Sequence, residues 1–222
     1  MTTGAALAIV ASAALAAAAP AQAAGTRNPQ KDCAAKKSRT LAASAQARVY
    51  GVGRKAYLCA YRSNRRLFLG NPVECESQIE VDDFRFGDGA VGFKESFCEH
   101  QPGTSTIRVV AIASLATKYK SSAATDVRFG AKFSNTTDAW TLKANGSFAW
   151  IGEATLFSSD SSPGRLVQVW KVDADNPTGT KLDEGASIAP GSLALSPLTD
   201  SSSGLAALYW KNGTTIEETS LK

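Results

Sequence analysis

One histidine, one methionine and four cysteines are all that this chain of 222 residues offers to nucleophilic, redox or metal chemistry. His100 is the sole imidazole, so any Ser-His-Asp or Cys-His arrangement would have to use it. It sits in the polar stretch Cys98-Glu99-His100-Gln101-Pro102, the setting of a surface residue. The H-E-x-x-H pair of the zincins needs two histidines and is excluded by count. Neither a G-x-S-x-G elbow nor an S-x-x-K motif occurs. Charge is also sparse, with 20% charged residues against 44% hydrophobic ones, a balance that excludes global disorder. The net charge of +4, from 24 basic and 20 acidic residues, is small and forms no stripe, which argues against a nucleic-acid partner. No apolar run reaches the ~20 residues of a membrane-spanning helix.

The apolar run that does exist, residues 5–19, is alanine-rich and stops at Pro20. Ala21-Gln22-Ala23 follows, a small-x-small site of the kind signal peptidase cuts. Residues 1–24 therefore read as a signal peptide, although no Lys or Arg precedes the apolar run. The first cysteine is Cys33, well past the cleavage point, so a lipoprotein anchor is disfavoured. The expected product is secreted and extracellular, a single all-β domain over residues 25–222 with no membrane span.

Export gives the cysteines a role. Cys33, Cys59, Cys75 and Cys98 form an even set in the first half of the mature chain, which an oxidising compartment would pair. Of the three connectivities, Cys33–Cys59 with Cys75–Cys98 is favoured, because each bond then staples adjacent strands of one repeat. A structural zinc would need close C-x-x-C pairs or neighbouring histidines, and neither exists. No metal or cofactor is expected.

What the chain has in abundance is short alternating runs separated by turns. Residues 140–174 show the unit most clearly. Two runs, 140–144 and 147–152, flank Asn145-Gly146, which suits the φ > 0 positions of a type I′ hairpin turn. A polar bend at 158–164 leads to a third run, 166–172, and a second turn at 176–179. Three looser copies surround it. The first comprises 47–52, 56–61 and 66–70; the second 79–86, 90–95 and 106–115, the last apolar on both faces as in a strand covered on both sides. The fourth comprises 192–196, 205–210 and 215–221, and residues 127–133 introduce the third. Period-two alternation argues strand throughout. The one helix candidate, 34–47, is alanine-rich without an apolar stripe. Four multi-strand repeats of ~40–50 residues predict a propeller-like stack of about four antiparallel meander blades. A β-sandwich is the alternative.

The segments FAWIG…VQVWKVDAD…GTKLDEG and LALSP…GLAALYWKNG resemble the blade repeats of secreted propeller-like proteins from high-GC Gram-positive bacteria. More distantly they resemble TolB-type and WD-type blades, in which a turn glycine precedes an inner strand. Trp-Asp dipeptides and Kelch double glycines are absent, so neither named repeat class is matched. The likeness implies a fold and an address, and no activity.

Candidate chemistry is thin. Glycosidases need two carboxylates across a bond, and Asp82, Asp83, Glu95 and Glu99 cluster in the second unit. Solvated strand ends explain them more simply. Asp173, Asp175 and Glu184 fall at positions 1, 3 and 12 of an EF-hand count, but Pro177 and Thr178 occupy positions 5 and 6 and no helices flank the loop. Trp140, Trp150, Trp170 and Trp210 would suit sugar stacking, yet each lies in an apolar run and reads as core. Lys36, Lys37, Arg39, Arg62, Arg65 and Arg66 give the first quarter a basic bias. That bias suits phosphate-rich polymer or anionic headgroups, or else a charged sheet edge that discourages aggregation, the preferred reading. Three glycosylation sequons, at Asn135, Asn145 and Asn212, are discounted, because two double as hairpin turns.

The sequence thus predicts a non-catalytic binding or scaffold module of the cell exterior, with an extracellular protein or glycan as partner. The alternative is a secreted polysaccharide hydrolase using the carboxylates around Asp82 and Glu95. Ligand-bearing loops are expected around Glu99 and His100, Asp160 and Asp200.

Overall fold

The computed structural model describes residue 33 and residues 35–71, 79–97, 104–120, 132–157, 164–199 and 204–222. Among these, fifteen strands and no helix are found, arranged in four antiparallel sheets. Sheet I contains β1 (Arg39–Ala43), β2 (Ala47–Val52), β3 (Lys55–Ala60) and β4 (Arg65–Gly70). Sheet II contains β5 (Ile79–Phe86), β6 (Ala90–Phe97), β7 (Thr104–Ala111) and β8 (Thr117–Lys120). Sheet III contains β9 (Lys132–Leu142), β10 (Phe148–Phe157), β11 (Gly164–Asp173) and β12 (Asn176–Glu184). Sheet IV contains β13 (Ala194–Thr199), β14 (Ala206–Asn212) and β15 (Thr215–Leu221). Within every sheet the spatial order follows the chain, so each is a meander. The predicted architecture is the observed one: a propeller-like stack of four blades, where a sandwich would have two sheets.

Side-chain parity dictates how the blades stack. In sheet I, Ala47 and Val49 of β2 share a face with Ala56, Leu58 and Ala60 of β3. That face meets Val81, Val91, Phe93 and Val110 of sheet II. The other parity of sheet II, with Ala90, Ile107 and Val109, packs on Trp140, Phe148, Trp150 and Val172 of sheet III. The far side of sheet III presents Ala149, Ile151, Val167 and Val169 to Leu208, Trp210 and Leu221 of sheet IV. Three of the four tryptophans are core, as expected: Trp140, Trp150 and Trp210 are 3%, 3% and 6% exposed.

Polar bonds fix the two junctions made by sheet III. Between sheets II and III, the Trp140 indole N–H donates to Asp83 at 2.5 Å, and the Arg85 guanidinium lies 4.5 Å above the same ring. The Thr137 N–H also donates to Ser105 Oγ at 2.7 Å. Between sheets III and IV, Asp183 accepts from the Trp210 indole at 2.7 Å and from the Asn212 amide at 3.0 Å. The buried Lys143 ammonium donates to the carbonyls of Leu221, at 3.0 Å, and of Gly204. Burial holds its pKa below the ordinary lysine value, with Asp173 opposing.

Glycine is required where sheet II meets sheet III. A Cβ on Gly92 would come within 2.8 Å of the Trp140 ring. The β9–β10 hairpin forms where the Asn-Gly signal places it, but it is not the type I′ turn expected: only Gly146 takes a positive φ, +96°, and its N–H donates to the Lys143 carbonyl at 3.0 Å to close a longer loop.

Four elements differ from the sequence reading. The alanine-rich stretch 34–47 carries β1, because its backbone completes the edge of β2, with Thr40 opposite Tyr50 and Ala43 opposite Arg48. β8 is a short added edge on β7. β9 is one long strand from Lys132 to Leu142: its polar middle is drawn into the ladder by β10, with a bulge at Asp138. The turn expected at 176–179 lies instead at residues 174–175, and Asn176–Glu184 is β12.

The favoured Cys33–Cys59 disulfide is formed, with the two Cα atoms 5.9 Å apart at a sequence separation of 26. Cys75 and Cys98 lie outside the described residues. Replacing Cys33 and Cys59 together by serine should cost about 3 kcal/mol in urea unfolding, the loop-closure entropy of a bridge of this span. Gly92→Ala should cost about 1–3 kcal/mol by overpacking, with the loss visible as reduced near-ultraviolet tryptophan dichroism.

Candidate functional site

The outer face of sheet I, the side turned away from sheet II, gathers the residues with unmet chemistry. Parity and register build it. Gly53 and Arg54 close the β2–β3 hairpin so that Tyr50 pairs with Tyr57 and Arg48 with Cys59. The β3–β4 pairing then sets Phe68 opposite Tyr57 and Arg66 opposite Cys59. Two rows result across the sheet: Thr40, Tyr50, Tyr57, Phe68, and beside it Ala43, Arg48, Cys59, Arg66.

The aromatic row is a continuous stack. Tyr50 and Tyr57 lie with ring centroids 5.6 Å apart at 23°, and Tyr57 and Phe68 at 5.6 Å and 59°. Tyr50 is buried, Tyr57 half-buried and Phe68 52% exposed, so the row rises from the core to the surface. The disulfide anchors it from the side, since Cys59 stands in the neighbouring row on the same face: Cys33, Tyr50 and Cys59 form one buried cluster, with Tyr57, Tyr61 and Val52 packed around it.

At the buried end of this row lies Arg48, 9% exposed. Its guanidinium stands 4.7 Å from the centre of the Tyr50 ring and donates through Nη2 to Ser38 Oγ at 2.7 Å. Its Nε–H is buried and has no acceptor. No carboxylate pairs with Arg48 among the described residues, although buried charges are normally paired. The side chain lines a cavity of about 320 Å³ together with Thr40, Ala43 and Tyr61, a volume in the range of small-ligand sites.

The carboxylates suggested by the sequence do not converge. Asp82 pairs with Lys94 and Val81 with Glu95, so Asp82 and Glu95 project from opposite faces of sheet II. Glu95 is buried and held by Arg108 at 3.1 Å and Lys120 at 2.9 Å. The two are therefore not a glycosidase pair. Asp173 and Glu184 are also committed locally. Asp173 accepts from the Lys222 N–H at 2.8 Å and binds the Lys171 ammonium at 2.9 Å. Glu184 accepts from Gln168 at 2.5 Å and Lys181 at 2.9 Å, which holds its pKa below the usual carboxylate value. Among the described residues, no group of three or more His, Cys, Asp or Glu is placed to hold a metal. Glu99, His100, Asp160 and Asp200 lie outside the described residues. The sequence reading missed Arg48, Tyr50, Tyr57 and Phe68, although the Gly53-Arg54 turn and the period of two were enough to place the first three on one face.

No protein-family model matches the sequence, and no curated protein is significantly similar to it. Among the described residues, no helix is long and apolar enough to cross a membrane.

Burial pushes the Asp82 carboxyl above its ordinary value, Lys94 pulls it down and Asp83 adds to the rise. The folded state therefore binds this proton more tightly than the unfolded chain, and ionised Asp82 costs stability at neutral pH. Asp82→Asn should raise the melting temperature at pH 7. The gain should vanish as pH falls below 3.8, the ordinary aspartate value, in thermal unfolding followed against pH.

Proposed function

We propose that this chain is a secreted, non-catalytic binding module of the cell exterior, and that it docks a glycan on the outer face of sheet I. The observation that carries the reading is the graded aromatic row from Tyr50 through Tyr57 to the exposed Phe68, with arginine at its flank. Aromatic faces of this kind offer large, rigid contact area to the apolar faces of sugar rings at little conformational cost. The disulfide beside the row braces its buried end, and a site on paired strands is held more precisely than one on loops.

Export is supported by the leader-like residues 1–24 and by a disulfide, a bond that persists in oxidising compartments. The likeness of the blade segments to secreted propeller-like proteins of high-GC Gram-positive bacteria points to the same address. A hydrolase has less support, because the carboxylate pair it would need is split across a sheet.

The test is binding of the exported protein to cell-wall polysaccharide and to a glycan array, beside Phe68→Ala. Because Phe68 is half exposed, its removal should leave the fold intact and weaken glycan binding about tenfold. Unchanged binding by the variant would move the site elsewhere. Failure of every wall glycan, with specific capture of a protein instead, would replace the glycan by a protein partner.

A further inference from the structure

We infer that the cavity at the β1–β2 edge is an oxyanion-binding subsite, in which Arg48 receives a carboxylate or phosphate group carried by the docked ligand. The inference rests on the outer face of sheet I being the docking face, and it adds the ligand's charge class to that reading.

Three observations converge on it. Arg48 is one of the few charged side chains the fold buries, and its cation has no carboxylate of its own among the described residues. Glu95 shows what the fold does elsewhere: its buried charge meets two cations at 3.1 and 2.9 Å. Arg48 instead stacks on Tyr50 and spends one donor on Ser38, a neutral hydroxyl, which leaves the Nε–H free. The second observation is the space. Arg48 lines an open volume of about 320 Å³, large enough for an anionic group together with part of a sugar ring. The third is the lining, where Thr40 and Tyr61 are hydroxyl-bearing side chains of a type able to donate to an oxyanion. Arginine is suited to this task because its planar donors match carboxylate and phosphate geometry, and the bond gains strength away from bulk water.

The arrangement also orders the ligand. The anion is fixed at the buried end of the row and the ring system extends outward over Tyr57 and Phe68, so a neutral sugar engages only the outer half. Acidic glycans and phosphate-bearing wall polymers both present the required group.

The experiment titrates the exported protein with inorganic phosphate, sodium glucuronate and uncharged glucose, following the arginine Nε–H resonances by ¹H–¹⁵N NMR and affinity by calorimetry. One arginine Nε–H resonance, assigned to Arg48 by its loss in Arg48→Lys and Arg48→Gln, should shift and saturate with phosphate, with glucuronate, or with both. Response to one anion alone names the source of the oxyanion. Arg48→Gln should bind the responding anion at least about tenfold more weakly, with Arg48→Lys in between. Thermal unfolding of both variants verifies that each is folded, and if Arg48→Gln is not, Arg48→Lys carries the comparison. The proposal is overturned if neither anion perturbs that resonance, or if a folded Arg48 variant binds them with unchanged affinity. Phe68→Ala separates the two readings: it should keep anion binding at Arg48 while losing the contact with uncharged rings. Anion binding without any glycan binding would sink the docking reading and leave the subsite standing.

Discussion

A sheet covered on both faces has no side-chain parity left for polar residues, and this constraint organises the whole molecule. Sheets II and III sit inside the stack, so Val91 and Phe93 look one way while Ala90, Ile107 and Val109 look the other, and all are apolar. Where a charge is nonetheless enclosed, as at Glu95 or Lys143, the fold surrounds it with partners. Only the two end sheets have a face free to carry chemistry. The outer face of sheet IV mixes Lys211, Glu218 and Ser220 with Ala207, Tyr209 and the exposed Ile216. The outer face of sheet I carries the aromatic row, the disulfide and Arg48.

The same constraint explains which parts of the fold were legible. Alternating runs and turn dipeptides such as Asn145-Gly146 encode strands and hairpins locally, and so the meander order of the blades followed from spacing. The Cys33–Cys59 pairing was legible as a staple within one repeat, although Cys33 lies ahead of β1 and not in a strand, so the bond ties the segment before the sheet to β3. Edge strands were not. β1 and β8 are short and partly polar, and they exist because a neighbour offers an unpaired backbone. The polar middle of β9 is a strand for the same reason, with β10 supplying its partners.

The candidate site was hidden for a different reason. Sequence reasoning looked for function in loops and in carboxylates, where reactive residues usually stand out. Arg48, Tyr57 and Phe68 are ordinary strand residues in one dimension. They become a site only when the β2–β3 and β3–β4 registers bring three strands side by side. Conversely, Asp82 and Glu95 looked close in sequence, and a register in which Asp82 meets Lys94 sends them to opposite sides. What the parity of a strand does to a pair of residues is decided by whether their partners are one position or two apart.

The candidate face lies between Cys33 and Phe68, within the blade that comes ahead of the other three in the sequence. Because strand partners in this blade are close neighbours along the chain, it needs no distant segment to form its ladder, and later blades only have to settle on a surface already waiting. Along the chain the candidate face thus comes ahead of the blades that pack behind it, and those blades act as its buttress. A lineage exchanging or trimming its rear blades would alter the depth of that support long before it altered what the front can hold.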